Sequence, residues 1–176
     1  MIQKPRIFGS LLPDIRIDPV NLNVDDRGWF RRVWEQDADK IDVKQISISL
    51  NKKRGTLRGL HSLELIENEY KIIQVIHGEI FDVQVDMRQS SKNYLKWMGL
   101  YIDQNSTFKL TIPPGFCHGF ITIRDNSIVM YSMSSKYKFE KEVGFRFDDP
   151  AIGIQWPILP KVVSFKDKNW KFLNLD

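Results

Sequence analysis

The chain has 176 residues, 42% hydrophobic and 27% charged, which is enough to bury one sizeable core and too apolar for a disordered polypeptide. Twenty-six Lys and Arg against 22 Asp and Glu leave a formal charge of +4. The basic residues are dispersed and not interleaved with aromatics, which argues against a nucleic-acid surface and leaves a small polyanion as the better-fitting partner.

No stretch approaches the roughly 20 apolar residues that a membrane span needs. The one cysteine, Cys117, excludes an internal disulfide. With an N-terminus that does not resemble a secretory signal, these features predict a single domain over residues 1–176 working in the reducing cytoplasm.

In chain order, residues 37–40 read as a brief helix or loop. The first strand follows at 43–50, with Ile46 and Ile48 on one side and Ser47 and Ser49 on the other. A loop at 51–55 precedes a strand at 56–61. Residues 71–76 run into His77-Gly78 and resume at 80–86, a pattern that predicts a β-hairpin. Further strands are expected at 95–102 and 108–112. Pro113-Pro114-Gly115 then interrupts pairing before a strand at 117–122, and Asp125-Asn126 turns the chain into another at 127–134.

So many short strands with so little helical pattern predict an all-β, closed or sandwiched antiparallel sheet. Asp148-Asp149-Pro150 and Trp156-Pro157 punctuate the last third, where the tail is expected to return over the sheet and carry a short helix. Trp156 and Trp170 read as packing residues.

There are only three histidines, so their positions carry weight. His61 follows Arg58-Gly59-Leu60, His77 fits an ordinary turn beside Gly78, and His118 lies in Pro113-Pro114-Gly115-Phe116-Cys117-His118. If distant strands converge, His61 can remove a proton and Asp167 can orient its ring and stabilise the charged form. Lys71 can then hold the negative charge so created. Tyr131, with an ordinary pKa of about 10, can return a proton from the opposite side.

Each residue also has a plain structural reading: ion pairs for Arg58 and Lys71, a cap for Asp167, core filling for Tyr131. No compact set of ligands surrounds His61, so no metal is expected. Gly55, Gly59, Gly78 and Gly115 form neither a P-loop nor a dinucleotide fingerprint.

Taken together, several segments resemble the dTDP-4-dehydrorhamnose 3,5-epimerase family of cupin-fold enzymes. They are Asp25-Asp26-Arg27-Gly28, Gly55-Thr56-Leu57-Arg58-Gly59-Leu60-His61, the run from Gly78 to Arg88, the run from Ile112 to Phe120, Asp148-Asp149-Pro150, Trp156-Pro157 and Ser164-Phe165-Lys166-Asp167. The resemblance implies an antiparallel jelly-roll barrel, a homodimer, a nucleotide-diphosphate sugar as substrate, and no cofactor. It implies His61 and Asp167 as the base dyad, Lys71 as the enolate-stabilising group and Tyr131 as the acid. Arg58 and His118 are implied near the sugar, and Arg27 and Tyr137 near the nucleotide diphosphate, with Arg27 a candidate for supply across the dimer.

The expected reaction is inversion at C3, C5 or both of a 4-keto-6-deoxy sugar. The chain departs from the family pattern at Ser62-Leu63 and Ser132, and its loop at 64–70 is acidic. These departures keep open a guanosine- or cytidine-linked heptose substrate, inversion at one carbon, or a non-catalytic sugar-nucleotide-binding cupin.

Overall fold

The structure, a computed structural model, describes residues 5–36, 40–63, 68–136 and 141–174. Four short strands open the chain: β1 (Ile7–Gly9), β2 (Arg16–Pro19), β3 (Leu22–Asp25) and β4 (Gly28–Arg31). The eight strands expected from alternation follow as β5 (Gln45–Asn51), β6 (Thr56–Leu63), β7 (Lys71–His77), β8 (Glu79–Asp86), β9 (Trp97–Asp103), β10 (Phe108–Ile112), β11 (Phe116–Thr122) and β12 (Ser127–Met133). Then come β13 (Glu142–Gly144), β14 (Val162–Val163) and the expected tail helix, α1 (Phe165–Lys168). The unforeseen strands span two to four residues, too few to display a period. The helix-or-loop expected at 37–40 lies, apart from Lys40, outside the described residues.

Two sheets face each other. One has the order β1-β9-β8-β11-β6-β13, with β14 also on β6, and the other is β2-β10-β7-β12-β5. β3 and β4 form a separate hairpin. All pairings are antiparallel except β14 on β6, and the whole is the expected jelly roll.

One correction concerns the turn at His77-Gly78. β7 pairs with β10 and β12, whereas β8 pairs with β9 and β11, so the turn joins the two sheets and makes no hairpin. Gly78 takes φ +80° at this corner, and a Cβ there would sit 2.4 Å from Ser127 Oγ. The tight turn was legible, but its partners were not.

The strand alternation divides the core in two. Ile73, Val75, Leu100, Leu110, Phe120 and Val129 pack between the sheets. Phe81, Val83 and Val85 point the other way, onto the outer face of the first sheet, where Ile152, Ile154, Trp156 and Ile158 of the returning tail cover them. Trp156 Nε1 donates to Phe147 O at 2.8 Å, and Trp170 packs so closely on Gly144 that a Cβ there would fall 1.9 Å from the indole. Both tryptophans are packing residues, as expected.

Candidate active site

A cavity of about 460 Å³ opens between the sheets, lined by Arg58, His61, Lys71, His118, Tyr131 and Asp167 among others. Six of the eight residues proposed from sequence therefore converge. Arg27 does not: it sits at the exposed β3–β4 turn, paired with Asp25 at 2.5 Å. Tyr137 lies outside the described residues.

How β6 presents two functional side chains is set by a bulge. In a regular strand, residues 58 and 61 face opposite ways. Here His118 pairs with His61 and Phe120 with Arg58, so two β6 residues, Gly59 and Leu60, oppose the single Gly119. Leu57 and Leu60 consequently both join the outer core, while Arg58 and His61 both line the cavity.

Burying each leucine contributes about 1.5–3 kcal/mol. That outweighs the ladder hydrogen bond forgone, about 0.5–1.5 kcal/mol net. The crossing is tight: Gly59 has φ +121°, and its Cβ would lie 2.5 Å from Gly119 Cα. Only glycine fits there.

The tail supplies the partner of His61. β14 runs parallel to the start of β6, with Val162 opposite Thr56 and Val163 opposite Leu57, so the next residues come level with the bulge. Ser164 caps α1, its Oγ accepting from Asp167 N at 3.0 Å. Asp167 Oδ1 then lies 2.6 Å from His61 Nε2, and its Oδ2 accepts weakly from Gly59 N at 3.4 Å.

Burial alone would raise the Asp167 pKa. The hydrogen bond and charge of His61, with Ser164 and the Gly59 amide, overcome this and hold it below the usual carboxylate range. An ionised Asp167 accepts the Nε2 hydrogen of His61 and leaves Nδ1 with its lone pair as the basic nitrogen.

On the facing sheet Tyr131 projects inward beside Val129, two residues away on the same face of β12. Burial pushes its phenol up to about 12, against the opposing effects of the Ser49 hydrogen bond and the Arg58 charge. Lys71, at the start of β7, pairs with Glu69 at 3.2 Å. His118 Nδ1 lies 3.3 Å from Asp82 Oδ1, which also accepts from Gln84 Nε2 at 2.5 Å.

Among the described residues, three acidic neighbours of the cavity had no role assigned from the sequence. Glu69 neutralises Lys71. Glu142 lies 3.9 Å from His61 Nδ1 and pairs with Lys166 at 2.7 Å. Asp82 orients His118. Asp82 alternates with Gln84 and Asp86 along β8, Glu69 belongs to the acidic loop at 64–70, and Glu142 lies where no pattern marks it. Of the departures from the family pattern, Ser62 and Leu63 line the cavity; Ser132 does not, being fully buried away from it.

Arranged this way, the jelly roll sets a histidine–aspartate pair on one sheet across the cavity from a tyrosine hydroxyl on the other. The dTDP-4-dehydrorhamnose 3,5-epimerase family profile matches residues 11–174. The epimerase of that name from Methanothermobacter thermautotrophicus is 36% identical over 170 residues, covering 92% of this chain and 90% of that protein.

Among solved structures, the Bacillus anthracis dTDP-4-dehydrorhamnose 3,5-epimerase with TDP and PPi bound superposes with a TM-score of 0.88 at 29% identity, covering 96% of this chain and 100% of that one. The Legionella pneumophila dTDP-6-deoxy-D-glucose-3,5-epimerase in complex with dTDP-4-keto-L-rhamnose gives 0.87 at 29% identity, covering 98% and 94%. The chain belongs to the dTDP-4-dehydrorhamnose 3,5-epimerase family and is a sugar-nucleotide epimerase.

Proposed function

We propose that this chain, as a single cupin-like domain, inverts C3 and C5 of a dTDP-linked 4-keto-6-deoxy sugar by deprotonation on one face and reprotonation on the other. The observation that carries the reading is the opposition across one cavity of the His61–Asp167 pair, at 2.6 Å, and Tyr131 on the facing sheet.

The C4 ketone acidifies the hydrogens at C3 and C5. His61 Nδ1 takes one of them, and Asp167 stabilises the imidazolium that forms. Lys71 and His118 are the donors available to the enolate oxygen, and Tyr131 protonates the carbon from the other side. The carbonyl itself provides the acidity, so the reaction as derived uses no redox group and no metal. Arg58 provides positive charge for the diphosphate.

A homodimer fits the surface. Ile46, Ile48 and Leu50 line the exposed face of β5, an edge strand, and Val24 and Phe30 are exposed on the β3–β4 hairpin. In such a dimer Arg27, which is 90% exposed at that hairpin's turn, is the residue to reach the partner's cavity. A cytoplasmic setting agrees with the buried free thiol of Cys117.

The test is a panel of thymidine-, guanosine- and cytidine-diphosphate 4-keto sugars, hexose and heptose, incubated with the enzyme in deuterium oxide and read by proton NMR. Deuterium entering C3 and C5 of the thymidine-linked hexose, with inverted configuration, is the expected result. Binding of every sugar with exchange in none would leave a non-catalytic cupin instead.

A further inference from the structure

Tyr131 Oη lies 2.9 Å from Ser49 Oγ on the neighbouring strand β5. In an isolated pair of hydroxyls either oxygen can donate. The side chains further along favour one of the two. Arg58 Nε donates to Asn51 Oδ1 at 2.7 Å, and arginine has no acceptor to offer.

This fixes the Asn51 amide with its oxygen toward Arg58 and Nδ2 toward Ser127 O at 3.1 Å, Ser49 O at 3.4 Å and Ser49 Oγ at 3.2 Å. The reverse orientation would set an NH2 against a guanidinium and an oxygen against two carbonyls. Ser49 Oγ therefore accepts from Asn51. A serine oxygen keeps a second lone pair; the arrangement in which the hydrogen of Ser49 also has an acceptor among the described residues is the one in which it donates to Tyr131 Oη. In that arrangement the hydrogen of Tyr131 is left to point into the cavity that its ring lines.

We propose that Ser49 is a positioning residue for the acid: its hydroxyl, oriented by the Arg58–Asn51 pair, keeps the Tyr131 proton aimed at the substrate and then donates to the phenolate left behind. The proposal rests on the reading of Tyr131 as the acid. The step balances. His61 takes the proton of the C–H bond and the electron pair becomes the enolate. On the other face the carbon takes the Tyr131 proton, and the O–H electron pair stays on the phenolate oxygen. His61 then releases its proton to water and the phenolate takes one back.

A buried phenolate needs this donor. The site is apolar enough to push the phenol up to about 12, and the nearby Asp82 carboxylate opposes the charge further. The alternation of β5 also gains a reason beyond packing. Ile46, Ile48 and Leu50 occupy its exposed outer face, and the serine at 49 occupies the inner one.

The experiment compares wild type, Ser49→Ala, Ser49→Thr and Tyr131→Phe on dTDP-4-keto-6-deoxyglucose in deuterium oxide, following exchange and inversion separately by NMR. Ser49→Ala is expected to lower kcat for inversion by about ten- to a hundredfold, the usual effect of losing a hydrogen bond to a charged group. KM and His61-driven exchange with retained configuration should change little, so the ratio of exchange to inversion rises. Ser49→Thr, which keeps the hydroxyl, should restore the ratio.

Inversion by Ser49→Ala at the wild-type rate, while Tyr131→Phe fails to invert, would overturn the role of Ser49 and leave Tyr131 as the acid. Equal loss of exchange and inversion with a raised KM would also overturn it, making Ser49 a substrate contact. Normal inversion by Tyr131→Phe would remove the acid itself, a distinct failure.

Discussion

Two histidine–aspartate pairs meet across the β6–β11 ladder, where His61 and His118 are register partners, and they are built in different ways. His118 and Asp82 belong to adjacent strands of one sheet, with their side chains 8% and 0% exposed. His61 is 29% exposed, and its carboxylate arrives from a tail helix 106 residues further on. The ladder holds the first pair in place as part of the core. The second pair exists only when the tail docks, and its imidazole keeps one nitrogen open to the cavity. In the proposed reaction the rigid pair suits a donor to the enolate and the open nitrogen suits a base.

The sharpest way to separate the pairs is to remove each histidine. His61→Ala is expected to depress solvent exchange at C3 and C5 by roughly 10²–10⁴-fold, the usual worth of a positioned general base, with the fold unchanged by circular dichroism. A comparable loss is not expected for His118→Asn, whose proposed role is to donate to a developing charge; saturation kinetics on both variants would rank them.

Asp167→Asn comes next. An amide can no longer stabilise the imidazolium, and turnover should fall by roughly 10²-fold or more while the structure persists. Wild-type turnover in this folded variant would dissolve the dyad.

In stability the order should reverse. Asp82→Ala leaves His118 and Gln84 without their shared acceptor in a buried site, at a cost of about 1–3 kcal/mol in urea unfolding. Ser164→Ala removes only the cap of a four-residue helix, for about 0.5–2 kcal/mol. Equal destabilisation by the two would contradict the difference in their construction.

The smallest effect expected is in acid. The folded pKa of Asp167 lies below its ordinary 3.8, so its contribution to stability is fully present above 3.8 and is lost as pH falls through the lower folded value. Asp86 behaves likewise: burial works to raise its pKa, and the bonds from Arg88 and Ser91 outweigh it. Stability measured from about pH 5 downward should decline in the wild type, and Asp167→Asn should lack the part of that slope that belongs to the dyad.

Much of this molecule was legible before folding. Period-two alternation is a local property, and it located β5 to β12 within about two residues at each end. A glycine beside a lone histidine marked the corner at 77–78. Yet that corner was misread as a hairpin, because which strand lies beside which depends on the other strands. β13 and β14 were invisible, being too short to repeat. Ser49 was placed on the side of its strand opposite Ile46 and Ile48, without a role, since its meaning comes from Tyr131, 82 residues away.

The sequence by itself determined an all-β chain whose His61, Lys71, Tyr131 and Asp167 are chemically suited to move protons. The tertiary structure decided that they share one cavity. The bulge at Gly59–Leu60 turned Arg58 and His61 to the same face because Leu57 and Leu60 are drawn into the outer core. β14 carried Asp167 to His61 because its parallel register leaves the chain level with the bulge. Both outcomes follow from burying apolar surface between elements distant in sequence, which no local pattern encodes.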